Sequence, residues 1–233
     1  KGDVPGEIAG RMTDLESQLD ELPDVRTQIN VRSLSPDEVN EYYNKLIDTA
    51  AGLFDAQART VPDVEASQNG ITATGLFRAS DQMSRAASLA TSALVNKTFT
   101  SNDHRAFSQF VGAYRSSLED LAPNMLPEAH AQYKALTSGE DWRRLQEIEN
   151  QLIAHGPGPI DYSVLSFNDV ELRELSGRVS TELSALTTAQ ADKTSVKALD
   201  DSGQNLTNVL LGSALTLIAA IASIIVAVRV SRT

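Results

Sequence analysis

Apolar residues recur along most of this chain at spacings of three and four, the period of a helix with one buried stripe. Ile8, Met12, Leu15, Leu19 and Leu22 set the first stripe. Val25 and Ile29 extend it past Pro23, where the helix is expected to kink or restart. Ser35-Pro36-Asp37-Glu38 reads as the start of a second helix: a Ser cap, Pro at the first position, and Glu three residues after the cap. Its buried face is Val39, Tyr43, Leu46, Ala50, Leu53 and Phe54. A third helix between Asp63 and Val95 uses Leu76, Ala79, Met83, Ala87, Ala90 and Leu94, with Gly70 and Gly75 weakening its first half. Ser101 is expected to cap a helix carrying Phe107, Phe110, Tyr114, Leu118 and Leu121 up to Pro123. A short piece follows Pro127 with Ala131 and Leu136, and another carries Trp142, Leu145, Ile148 and Leu152 to a stop at Gly156. Gly156-Pro157-Gly158-Pro159 reads as a loop. From about Asp169 the stripe Leu172, Leu175, Val179, Leu183 and Leu186 runs on without proline. No strand pattern of useful length occurs, so the expectation is an all-α, antiparallel helical bundle.

The last stripe leads into a stretch of different character. From Ser202 to Val228 there is no ionisable residue, and Val209 to Val228 is 20 apolar or small residues. As a helix that run spans about 30 Å, the thickness of a bilayer's hydrocarbon core. It predicts a transmembrane helix over 206–228, continuous with the preceding one; unbroken from Asp169, such a helix would be about 90 Å long. Arg229 and Arg232 follow the run, whereas Asp200 and Asp201 precede it, which puts the C-terminus on the cytoplasmic side. The expected division is an extracytoplasmic helical domain over 1–205, the span, and the start of a cytoplasmic linker over 229–233. Because the chain begins at Lys1 without a basic and apolar leader, an earlier targeting or membrane segment is expected to have preceded it. Gly212, Thr216 and Ala220 repeat every four residues and would let two such helices approach closely.

Composition narrows the chemistry. A formal charge of −11 from 20 basic and 31 acidic residues, with no Lys/Arg-rich run, argues against a nucleic-acid surface. Without Arg229 and Arg232 the expected exterior part carries 18 basic and 31 acidic residues, a charge of −13. The absence of cysteine excludes disulfides, thiol catalysis and thiolate zinc sites. His104, His130 and His155 sit in unrelated segments, and the adjacent acids Glu140-Asp141 and Asp200-Asp201 diverge on a helix. No metalloprotease, phosphate-loop or nucleophile-elbow motif is present, so no catalytic site and no cofactor are expected in these residues.

Three stretches carry a resemblance: Leu22-Pro23-Asp24-Val25-Arg26, Tyr42-Tyr43-Asn44-Lys45-Leu46-Ile47, and Met83-Ser84-Arg85-Ala86-Ala87. Together with the late helix they resemble the nitrate- and nitrite-sensing domain over about residues 11–200. That resemblance implies an all-helical sensor, found in the extracytoplasmic part of bacterial histidine kinases and chemoreceptors and in cytoplasmic antiterminators. It also implies a small anion as ligand, a homodimer, and an effector domain beyond Thr233. The family's opening helix bears an Arg-Glu-Arg-like element that nothing before Arg11 matches, so part of the ligand site is expected to be missing here.

A planar monoanion is best held by guanidinium forks shielded from water. Arg26 falls between Leu22 and Ile29 at helical spacing, which puts its stem beside the core. Arg85 matches the family's third-helix arginine, and Arg78 lies seven residues earlier on the same side. Each has a plainer reading: Arg85 follows Asp81 by four, the order of an intrahelical ion pair, and Arg26 could lie snorkelled over the bundle edge. Arg11 and Arg105 have no comparable context, and Arg143-Arg144 reads as an exposed pair near Glu147. Two functions fit: a sensor's input domain, passing helix motion across the membrane to a kinase, or a membrane-tethered helical module docking an extracytoplasmic partner protein.

Overall fold

The computed structural model describes residues 6–200. They form seven α-helices: α1 (Gly6–Asn30), α2 (Pro36–Thr60), α3 (Val64–Val95), α4 (Ser101–Leu121), α5 (Pro127–Ser138), α6 (Glu140–His155) and α7 (Asp169–Asp200). The expected membrane helix over 206–228, its small residues Gly212, Thr216 and Ala220, and the linker over 229–233 lie outside the described residues. Among the described residues no helix is long and apolar enough to cross a membrane.

The helix starts follow local hydrogen bonding. Ser35 Oγ accepts from the Glu38 amide at 3.3 Å while the Glu38 carboxylate accepts from the Ser35 amide at 2.8 Å, the reciprocal box read from the sequence. Asp63 caps α3 by accepting from the Ala66 amide at 2.7 Å. At α4 the cap is Thr100 rather than Ser101. Thr100 Oγ1 accepts from the Asp103 amide at 3.1 Å and donates to the Asp103 carboxylate at 2.7 Å, a pairing that needs the acid three residues on. Pro23 neither ends nor restarts α1, which runs through it. Pro23 is exposed, so the carbonyl one turn back that lacks its N–H partner lies on the solvent side.

Side-chain pairs fix an antiparallel register for successive long helices. Arg78 meets Asp55 at 2.6 Å and Arg85 meets Asp48 at 2.9 Å, tying α3 to α2 at two points. Along α4, Leu121 faces Gly75 and Phe110 faces Arg85. Gln190 of α7 donates to the Asn69 carbonyl near the start of α3, while Tyr162, just before α7, donates to the Leu94 carbonyl at its end. α3 is therefore the central helix, packed against α2, α4 and α7. Because α1 runs parallel to α3 and α7 antiparallel to it, residues 6 and 200 lie toward the same pole.

The core falls into two clusters. Leu76, Met83, Leu94, Phe107, Tyr114, Trp142, Ile148, Val179 and Leu183 belong to the larger, built from α3 to α7. The smaller joins Ile8, Leu15 and Ile29 of α1 to Tyr43, Leu46, Ile47, Leu53 and Phe54 of α2, and takes one residue, Phe77, from α3. Two expected positions shift, by one residue and by two: Ala86 is fully buried where Ala87 is half-exposed, and Ala129 where Ala131 is exposed. α3 runs through Gly70 and Gly75, which mark close approaches, to Ala58 of α2 and Leu121 of α4. The Gly-Pro-Gly-Pro loop adds a strand pair invisible to periodicity. β1 (Thr98–Phe99) and β2 (Gly158–Pro159) run antiparallel, and Gly158 takes a φ of 133° that favours glycine.

Candidate functional site

Between α1, α2, α3 and α4 lies a cleft of about 840 Å³. It collects three cations, Arg11, Lys45 and Arg85, and three acids, Asp14, Glu41 and Asp48, with Asn40, Asn44, Thr49 and Ser88 between them. The formal charges of these lining side chains cancel, on a strongly acidic chain. Leu89, Ala106 and Phe110 supply the apolar wall.

Arg85 is the shielded cation of this cleft. Its side chain is 15% exposed and its guanidinium lies 5.9 Å from the centre of the Phe110 ring. Asp81, one turn back on the same helix and 9% exposed, sits 2.6 Å from Nε. The pair expected from the Asp81–Arg85 spacing is thus present, but facing inward rather than on a solvated face. Asp48 of α2 holds Nη2 from the other side at 2.9 Å.

Arg11 enters from α1. Its guanidinium lies over Gly52, where an added Cβ would fall 2.7 Å from Nη1. One Nη2 bond goes to Glu7 at 3.1 Å, and its Nε is shielded from solvent without a hydrogen-bond partner. The cleft therefore sets a guanidinium from α1 beside a shielded guanidinium on an aromatic face. Paired N–H donors of this kind suit a planar oxyanion.

Of the three arginines singled out from the sequence, only Arg85 lines the cleft. Arg26 is exposed on α1, nearer the α1–α2 turn. Arg78 is 48% exposed and pairs with Asp55, away from the lining residues. Arg11 and Lys45 are the contributors that sequence reasoning passed over. The available signal for Arg11 was Gly52 on α2, where the missing side chain leaves room for the guanidinium.

Other polar groups have structural work. Arg144, expected as exposed, is half-buried: its Nε donates to Glu171 at 2.8 Å and its Nη2 to the Ser166 carbonyl at 2.8 Å, tying α6 to α7 and the loop before it. His104 lies edge-on to Phe99 with Nε2 at 3.2 Å from the Leu152 and Ile153 carbonyls, so its Nε2–H satisfies the end of α6. Between α4 and α6, buried Glu149 accepts from the Tyr114 hydroxyl at 2.7 Å and pairs with Arg115 at 2.5 Å. Burial pushes the Glu149 carboxyl up, an effect that Arg115 and the Tyr114 hydrogen bond offset only in part.

The sequence matches the family described as nitrate and nitrite sensing over residues 1–195. No curated protein and no solved structure matches it. The match covers most of the chain, and the chain belongs to that family.

Proposed function

From membership of the nitrate- and nitrite-sensing family, we propose that this chain binds nitrate or nitrite in the Arg85 cleft and is the input domain of a membrane-bound sensor. Arg85 carries the reading: a shielded guanidinium on an aromatic face can bind a planar anion through directional donors where the long-range field of an acidic chain repels it. Arg11 adds a second guanidinium to the cleft lining. The uncharged run from 202 to 228, followed by Arg229 and Arg232, supports a membrane crossing after α7 with residues 1–208 outside. In this reading α7 transmits displacement to a cytoplasmic effector of the two-component histidine kinase type, and the receptor works as a homodimer through Gly212, Thr216 and Ala220.

The test is calorimetric titration of nitrate and nitrite into the full chain, with chloride as control. Arg85→Ala is expected to weaken binding by about tenfold or more, the scale of a lost hydrogen bond to a charged partner. Arg26→Ala and Arg78→Ala, outside the cleft, are expected to bind as wild type does. Unchanged affinity in folded Arg85→Ala would sink the assignment, and loss in Arg26→Ala would move the site toward the α1–α2 turn.

A further inference from the structure

Arg78–Asp55 and Arg85–Asp48 are two equivalent rungs between α2 and α3, each member seven residues from its counterpart. Their surroundings differ. The Arg78 rung lies outside the cleft, whereas both members of the Arg85 rung line it. Arg85 also carries two carboxylates of opposite character. Asp81 is 9% exposed and belongs to the same helix, so it orients the guanidinium whatever α2 does. Asp48 is 69% exposed and reaches Nη2 across the helix interface.

An oxyanion entering the cleft meets Arg85 with the inner acid in ion-pair contact beside its Nε, whose N–H is buried without a hydrogen bond, and with its Nη2 hydrogen-bonded to the outer one. The outer carboxylate is the displaceable one. Its water is already at hand, so releasing it costs little desolvation, and an exposed ion pair is weak. Removing Asp81 from Arg85 would instead strand a charge with little access to solvent.

We infer that Asp48 is a built-in competitor for the anion site: the ligand binds Arg85 by displacing the Asp48 carboxylate, and so replaces a tie between α2 and α3 with a tie between α3 and the ligand. This rests on the Arg85 cleft being the anion site. Ligand occupancy then removes one of the two rungs and leaves the other, so the α1–α2 hairpin is held less firmly beside the cleft in the bound state. The threshold concentration at which the protein responds is set by Asp48, not by Arg85 alone.

The rung outside the cleft supplies the control. Nitrate and nitrite are titrated into the full chain as wild type, Asp48→Asn, Asp48→Ala, Asp55→Asn and Asp81→Asn, with helicity and cooperative melting checked for each. Both Asp48 variants are expected to bind about threefold tighter, the ratio that loss of an exposed ion pair yields. Asp55→Asn removes the same charge from the same helix and is expected to leave affinity within experimental error. Asp81→Asn is expected to weaken binding. Equal or weaker binding by both Asp48 variants, with wild type binding normally, overturns the competitor while leaving the site intact. Equal tightening in Asp55→Asn also overturns it, since net charge alone would then be responsible. Binding by neither wild type nor the Asp48 variants would overturn the site assignment and the competitor together. Binding by the Asp48 variants alone would support both.

Discussion

Tyr114, Arg115 and Glu149 show how single residues answer to burial. Tyr114 is fully buried and its hydroxyl is pushed well above its ordinary 10.0, first by desolvation and then by the Glu149 carboxylate it faces. A group whose value rises on folding contributes stability that is present below the unfolded value and lost as pH climbs. The unfolded chain gives up its tyrosine protons first, so stability falls above about pH 10. Tyr42, raised to about 12, adds to the same limb, so Tyr114→Phe should make it shallower without abolishing it. The same variant removes a donor from a buried carboxylate and should cost about 1–2 kcal/mol near neutral pH. Urea denaturation across the alkaline range measures both, and a limb unchanged in slope would show that Tyr114 is not its source. Sequence periodicity placed Tyr114 in the core but could not reveal Glu149 as its partner, because spacing reports the face of one helix and not what the next helix brings to it. The same limit applies at the cleft: Arg85 was legible from its stretch of residues, whereas Arg11 gained its role only when α1 was laid across Gly52.

At the scale of elements, stripes at helical spacing defined six of the seven helices, since each buries one face and repeats its apolar residues accordingly, whereas α5 was legible from Pro127 and Gly139 at its ends. What the stripes missed were places where two backbones meet. Gly70 and Gly75 read as helix-weakening, yet an added Cβ at Gly70 would lie 3.0 Å from the Ala58 Cβ, which has no rotamer by which to retreat. Gly70→Ala should therefore destabilise the fold by prying α2 from α3, although alanine is intrinsically the better helix former. Gly112, on the exposed face of α4 with nothing within 4 Å, supplies the opposite case: Gly112→Ala should stabilise by about 0.5–1 kcal/mol. Thermal melts of the two variants should move in opposite directions. A Gly70→Ala melt above wild type would mean that the α2–α3 approach is not tight. The strand pair Thr98–Phe99 with Gly158–Pro159 escaped the sequence for a related reason: two residues per strand are too few to show a period.

The described residues form a five-helix core, α3 to α7, with the α1–α2 hairpin set beside it. Each has its own apolar cluster, and Phe77 of α3, 4% exposed, is the core's contribution to the hairpin cluster. Phe77→Ala should cost about 3–5 kcal/mol, and the loss should be local. Hydrogen exchange is expected to quicken over residues 8–60 while 101–190 stay protected, and uniform quickening would show that hairpin and core open as one unit. Gln190 carries a separate consequence, for the order in which the chain assembles. It is fully buried, accepts from the Leu126 amide and donates to the Asn69 carbonyl, 121 residues away in sequence. Contacts between α1 and α2, α2 and α3, and α3 and α4 join neighbours and close short loops, whereas α7 must return along nearly the whole of α3 after most of the chain exists. During synthesis the side of α3 that α7 will cover is therefore bare until α7 emerges. Because α7 completes the core, whatever pulls on residue 200 pulls on the final fastening of the fold.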